Sequence, residues 1–109
     1  MAESPKVLGQ LSLTTAQQDL YAVPSATSAV VSCLVVCNYS GAATTFSITV
    51  APGAAADIAA HRQYWLVPIG ANDTFTVCPG WALAATDKVR ATAGAGSALA
   101  ATLFGVENT

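Results

Sequence analysis

The sequence contains very little charge. Only 9% of its 109 residues are Asp, Glu, Lys or Arg, whereas a typical soluble domain has about 25%. The four basic residues are scattered along the chain, and the net charge is −2. No basic cluster is present that could follow a phosphate backbone, so the sequence argues against nucleic-acid binding.

Long apolar runs are also lacking, although 53% of the residues are hydrophobic and the mean hydropathy is +0.51. The longest stretch, 29–37, is interrupted by Ser32 and has about half of the roughly 20 residues that a membrane-spanning helix needs. Residues 1–6 lack the regions of a signal peptide. We expect no membrane partner, synthesis in a cytoplasm, and a neutral surface that another protein subunit covers.

Groups that could catalyse a reaction or bind a cofactor are few. The single histidine, His61, precedes a predicted strand and is interpreted as a solvated loop residue. Asp57, Asp73 and Asp87 lie in separate predicted turns, where aspartate commonly bonds to the local backbone. No phosphate-binding glycine motif, GxSxG motif or calcium loop occurs. The sequence therefore predicts no enzyme, no metal site and no cofactor.

Cysteine occurs three times, which is an odd number. Cys33 and Cys37 are four residues apart in one predicted strand, or about 13 Å, too far apart for a mutual disulfide. Either could meet Cys78 on a neighbouring strand, and Cys37–Cys78 is the candidate disulfide. The alternative is three buried thiols that act as small hydrophobic side chains.

Short alternating segments, separated by Gly, Pro, Asn and Asp, predict an all-β protein. The predicted strands lie at 6–13, 19–23, 28–39, 44–50, 62–69, 74–78, 87–93 and 97–106, with a further extended piece at 81–83. Strict alternation divides the apolar residues of 28–39 between two faces: Val30, Leu34 and Val36 against Val31, Cys33, Val35 and Cys37.

About eight short strands with this spacing predict an antiparallel β-sandwich, with jelly-roll-like connections as the natural arrangement. We expect a single domain over 1–109. Residues 1–10 are free to form an extended N-terminal arm, which could add as a strand to a neighbouring subunit.

Apolar segments with few protecting charges are typical of association sites. We therefore predict a symmetric homo-oligomer. Large side chains provide the candidate subunit or partner interface: Val7, Leu11, Tyr21, Tyr39, Trp65, Trp81 and Phe104. The alternative for the aromatic residues is the sugar-stacking face of a carbohydrate-binding or adhesion β-sandwich.

Several turn-and-strand patterns resemble those of the small virion proteins of tailed bacteriophages. The patterns are DLYAVP at 19–24, TSAVV at 27–31, VVCN at 35–38, TFSITVAPG at 45–53, LVPI at 66–69, NDTF at 72–75 and DKV at 87–89. The resemblance covers residues 7 to 107 and involves no catalytic motif.

The resemblance implies a structural virion component without catalysis. Proteins of this kind serve as capsid cement, or decoration, proteins on the head, or as head–tail and tail parts. For this chain it implies a cement protein on the capsid surface that is assembled in the host cytoplasm. Its partners would be the major capsid protein and copies of itself, with a trimer as the expected oligomer.

Overall fold

The computed structural model describes residues 3–56 and 59–108, which form an almost purely β protein. Nine strands follow one another: β1 (Glu3–Ser12), β2 (Gln18–Ala22), β3 (Ser28–Asn38), β4 (Thr44–Ala51), β5 (Arg62–Ile69), β6 (Thr74–Val77), β7 (Trp81–Leu83), β8 (Lys88–Ala93) and β9 (Leu99–Asn108). Two 3-10 turns, Pro52–Ala54 and Ala59–His61, lie between β4 and β5. Within the described ranges no helix is long and apolar enough to cross a membrane.

The strands form two antiparallel sheets. The five-stranded sheet has the order β1-β9-β3-β6, and β7 pairs with β3 further along the edge that β6 also occupies. The four-stranded sheet has the order β2-β8-β4-β5. The two sheets pack face to face, which confirms the predicted antiparallel sandwich.

The pairing pattern is nested, and this nesting defines the connectivity. β1 pairs with β9, β2 with β8, β3 with β6 and β7, and β4 with β5. The chain therefore resembles one long hairpin, with its tip between β4 and β5, that is wrapped so that its arms alternate between the sheets. This is the strand order of a jelly roll.

One hydrophobic core fills the space between the sheets. Burial alternates along the long strands, so that every second residue of β9 from Leu99 to Leu103 is fully buried while its neighbours are partly exposed. Phe46 and Ile48 of β4 face these residues from the other sheet as part of the same buried cluster. This period of two is the pattern expected for strands with one buried face.

Two glycines allow the backbones to approach closely. A Cβ atom at Gly105 of β9 would lie 2.2 Å from the carbonyl oxygen of Val30, and one at Gly9 of β1 would lie 2.0 Å from the carbonyl oxygen of Leu20. Neither oxygen belongs to a side chain that could move aside. Only glycine fits at these positions, where β9 meets β3 and where the edges of the two sheets converge.

The described residues form nine strands because the piece at Trp81–Leu83 pairs with β3 as a strand of its own. Residues 3–10, which were expected to be free to form an extended arm, lie in β1 and pair with β9 from Glu3 opposite Asn108 onward. Main-chain pairing with β9 therefore holds this segment in the sheet. Residues 1 and 2 of the expected arm, together with Asp57, lie outside the described residues.

A β-bulge changes the predicted faces of β3. The pairing of β3 with β9 shifts register between Val31 and Cys33. Val31 therefore faces the core with Leu34 and Val36, whereas Val30 is 41% exposed on the opposite side. The assignment from strict alternation is wrong for Val30 and Val31, because an inserted residue reverses the alternation at that point.

Candidate assembly surface

The outward side of the five-stranded sheet forms a surface on which residues 5–56 and 59–108 place no Asp, Glu, Lys or Arg side chain. We call it the outer face. Register and burial place residues of five strands on it. They are Pro5, Val7, Gln10 and Ser12 of β1; Ala100, Thr102, Phe104 and Val106 of β9; Val30, Cys33, Val35 and Cys37 of β3; Thr74 and Thr76 of β6, with Cys78 directly after it; and Ala82 of β7. This set contains no Asp, Glu, Lys, Arg or His.

The outer face exposes large apolar side chains. Val7 is 49% exposed, Val30 is 41% exposed and Phe104 is 39% exposed. Tyr39, directly after β3, is half exposed and adjoins the outer face, with its hydroxyl 3.2 Å from the Ser12 hydroxyl. Exposed apolar residues that are grouped on one sheet face in this way are typical of a protein–protein contact.

A continuous row of side chains crosses the middle of the outer face. Val7 lies opposite Phe104 in the β1–β9 pair, and Phe104 lies opposite Cys33 in the β9–β3 pair. Cys33 is joined to Cys78 by a disulfide, so the row continues to the far edge of the sheet.

The disulfide corrects the expected Cys37–Cys78 pairing. Leu34 pairs with Val77 in the β3–β6 register, which puts Cys33 opposite Cys78, with their Cα atoms 3.9 Å apart. Cys37 pairs with Thr74 at the other end of the same register and is a free, half-buried thiol. The register between β3 and β6, two strands far apart in the chain, decides which cysteine is opposite Cys78.

The four-stranded sheet carries charges on its outward side. The ammonium of Lys88 lies 2.8 Å from one carboxylate oxygen of Asp19, and the guanidinium Nε of Arg90 lies 3.2 Å from the other. The hydrogen bond from Lys88, followed by that from Arg90, holds the pKa of Asp19 below its ordinary value. Arg90 also donates to the carbonyl of Ala55, 2.7 Å away, so this sheet is partly covered by its own chain.

The seven predicted interface residues are divided between surface and core. Val7, Phe104 and Tyr39 lie on or beside the outer face. Tyr21 is buried in the core, and this removes it from the candidate interface. Leu11 and Trp81 are half-buried against the same core.

Trp65 is exposed, but it lies on β5 of the four-stranded sheet and not with the others. The guanidinium of Arg62 stands 3.5 Å from the centroid of its ring. The ring therefore already has a cation on one face. Val30 belongs to the outer face and was missed, because the bulge that turns it outward has no signal in the alternation pattern.

The hydroxyl of Tyr21 is part of a buried polar cluster at the joint of β1, β2 and β9. Tyr21 donates a hydrogen bond to one carboxylate oxygen of Glu107, and the Lys6 ammonium forms an ion pair with the other. Glu107 is only 8% exposed. The hydrogen bond from Lys6, followed by that from Tyr21, lowers the pKa of Glu107, while burial and the carboxylate raise the pKa of Tyr21.

This cluster makes stability depend on pH. The pKa of Glu107 is lower in the folded state than its ordinary 4.5. The ionised carboxylate therefore adds its full contribution to the free energy of unfolding at pH values above 4.5, and this contribution is lost as the pH falls. Glu107→Gln is expected to lower the free energy of unfolding by about 1 kcal/mol at pH 7. Urea unfolding measures the effect: the difference in the free energy of unfolding between wild type and variant should shrink as the pH falls from 5 to 3.

Lys6→Met provides the matched control, because it removes the same ion pair from the other side. The double variant Lys6→Met/Glu107→Gln should be less destabilised than the sum of the single variants. If the losses in the free energy of unfolding of the two single variants simply added in the double variant, the coupling of these groups would be contradicted. A loss for Glu107→Gln that stayed constant down to pH 3 would contradict it as well.

The described residues include no cluster of metal-ligating side chains. Within 3–56 and 59–108 no group of three or more His, Cys, Asp and Glu side chains could hold a metal ion. Asp73 and Asp87 accept hydrogen bonds from backbone N–H groups in their own turns, those of Thr74 and Ala84 respectively. These two aspartates therefore have the predicted turn role.

The fold is shared with a protein of a bacteriophage particle. A chain from the acidic stable capsid structure of Helicobacter pylori bacteriophage KHP30 superposes with a TM-score of 0.53 and 11% sequence identity, over 100% of this chain and 94% of that chain. At this identity the likeness shows a common fold. No protein-family model and no curated protein matches the sequence.

Proposed function

We propose that this chain is a non-enzymatic structural protein of a bacteriophage virion, and specifically a cement protein on the capsid surface. The outer face is the observation that carries the proposal. Its described side chains include no Asp, Glu, Lys or Arg, it exposes Val7, Val30 and Phe104, and it lies opposite a sheet whose outward side carries ion pairs. A surface of this kind is suited to burial in a protein assembly.

The fold that this chain shares with a chain from a bacteriophage capsid structure supports a structural role in a virion. The superposed KHP30 chain comes from a capsid structure, and the overlap extends over the whole of this chain. A cement protein binds across subunits of the major capsid protein, and several modest contacts made together give strong retention. The chain is well suited to such a role, because a disulfide-linked β-sandwich offers a rigid body to the shell.

Cryo-electron microscopy of the virion whose genome encodes this chain tests the proposal. We expect its density to repeat over the capsid lattice, in contact with major capsid protein subunits. Density confined to the tail or to the portal vertex would instead favour the head–tail or tail component. Absence from the particle would overturn the virion proposal.

The alternative of a carbohydrate-binding β-sandwich has less support. Trp65 has Arg62 on one face of its ring, and Trp81 packs with Tyr64, whose ring centroid is 6.2 Å away, against the core. Arg62 therefore covers one face of the Trp65 ring, and the half-buried Trp81 ring is only partly accessible to a sugar.

A further inference from the structure

We propose that the outer face is a two-fold interface between two copies of this chain, packed sheet against sheet. The inference rests on the proposed function and assigns the outer face to the contact between copies, so that contacts with the major capsid protein are made by the other surfaces of the dimer. A face-to-face contact between identical sheets is self-complementary and closes a dimer. The trimer expected from the sequence would need two different surfaces to meet.

The sheet edges are protected, which leaves the outer face for association. β1 carries Pro5, Lys6 and a bulge between Val7 and Gly9 along its free edge. Pro79 and Gly80 separate β6 from β7, so the opposite edge is broken into two short pieces. Proline, lysine, bulges and short strands are the devices by which proteins prevent edge-to-edge pairing.

The edges of the four-stranded sheet are protected in the same way. β2 has five residues and a register shift between Asp19 and Tyr21. β5 contains Pro68, and its pairing with β4 shifts register twice. Addition of a strand from another chain is therefore disfavoured at each sheet edge that the structure describes.

The charge distribution favours a second copy over a different partner. In a two-fold interface each residue near the axis meets its own counterpart, so any charge there would meet a like charge. Among the outer-face residues of 5–56 and 59–108, none is Asp, Glu, Lys or Arg, and the ion-paired Asp19, Lys88 and Arg90 lie on the other sheet. The described side chains of the outer face therefore carry no charge by which a partner of complementary charge could recognise it.

The area is sufficient for a dimer. Four strands at about 4.8 Å spacing and ten residues at about 3.3 Å rise give a surface of about 600 Å² per copy. Two copies would therefore bury about 1,200 Å², which reaches the lower limit of stable interfaces. Phe104 lies near the middle of this surface, between Val7 and the Cys33–Cys78 disulfide, and provides an aromatic anchor.

Such a dimer fits the function of a cement protein. Two-fold symmetry would present every other surface of the chain twice, so that one dimer could hold two capsid subunits. The second attachment would then be intramolecular, which increases retention without new contacts.

The test is the mass of the purified protein in solution, measured by light scattering and analytical ultracentrifugation. We expect the wild type to have twice the monomer mass of 11.0 kDa. Phe104→Lys should weaken association at least about a hundredfold, because two lysines would meet across the axis. Val30→Lys is a second variant at another exposed position on the outer face, and Thr92→Lys on the four-stranded sheet is the matched control that should remain dimeric.

Charge complementation makes the test specific for self-contact. A mixture of Phe104→Lys and Phe104→Glu should recover the dimer, although each variant alone is monomeric. Circular dichroism of each variant verifies that it folds. Recovery in the mixture supports the two-fold contact, and a mixture that stays monomeric while both variants are folded would count against it.

The inference and the proposed function can fail separately. A wild-type monomer, or a mass three times 11.0 kDa, would overturn the two-fold dimer even if the chain decorates the capsid. A dimer that depends on Phe104, from a protein that is absent from the virion, would support the interface and refute the cement role.

Discussion

Replacing Cys33 and Cys78 with serine is expected to lower the free energy of unfolding by about 4 kcal/mol. The disulfide closes a loop with a sequence separation of 45 residues. In the chain-entropy description the closed loop restricts the conformations of the unfolded chain, so removal of the disulfide increases the entropy of the unfolded state. The replaced groups lie on the outward side of the sheet, so serine introduces little disturbance in the core. Urea unfolding at fixed protein concentration, followed by tryptophan fluorescence, measures the change.

Cys37→Ser is the control for this experiment, because Cys37 lies on the same strand and the same face but is not bridged. Its effect should stay below about 1 kcal/mol. A reducing agent should destabilise the wild type and Cys37→Ser alike, and should leave Cys33→Ser/Cys78→Ser unchanged. If Cys37→Ser instead caused the large loss, the bridge would join Cys37 to Cys78.

Asn38→Asp is expected to cost at least about 3 kcal/mol at pH 7, although it changes hardly any volume. Asn38 is fully buried at the end of β3. Its amide nitrogen donates to the carbonyls of Ala42, at 2.9 Å, and Ile69, at 3.3 Å, while its oxygen accepts from the backbone and hydroxyl of Ser40. A carboxylate would place negative oxygen beside two carbonyl oxygens and leave both without their donor.

The pH dependence distinguishes this mechanism from a simple packing defect. Burial beside two carbonyls should raise the pKa of the introduced carboxyl, so its destabilisation should grow as the pH rises and diminish in acid. Asn72→Asp, in an exposed turn, adds the same charge and should change the free energy of unfolding by less than about 0.5 kcal/mol. An equal loss for both variants in urea unfolding would contradict the role assigned to Asn38.

The strands could be predicted from the sequence because their signals are local. Alternation within β9 and the turn residues around it mark a half-buried strand without knowledge of its neighbours. Which face is buried is a different question. Tyr21 and Trp81 were expected in an interface, but they pack inward, because the neighbouring strands determine which face meets the core.

The bulges and the disulfide depend on residues far apart in the chain. The bulge after Val31 reverses the two sides of β3, and only the pairing with β9 shows where it lies. Cys33 meets Cys78 because of a separate pairing, that of β3 with β6, in which Leu34 lies opposite Val77. The carboxylate of Glu107, buried at a core-facing position, likewise depends on Tyr21 and Lys6, which come from two other strands.

The nested pairing of the strands has a consequence for the order of events during synthesis. Both β1 and β3 take β9 as their neighbour, and β9 is translated after all the other strands. Until β9 emerges from the ribosome, β1 and β3 have no strand to pair with between them, and we expect their apolar residues to be exposed. We therefore expect the nascent chain to be most susceptible to aggregation and to chaperone capture in this interval, with the larger sheet closing in a single late step.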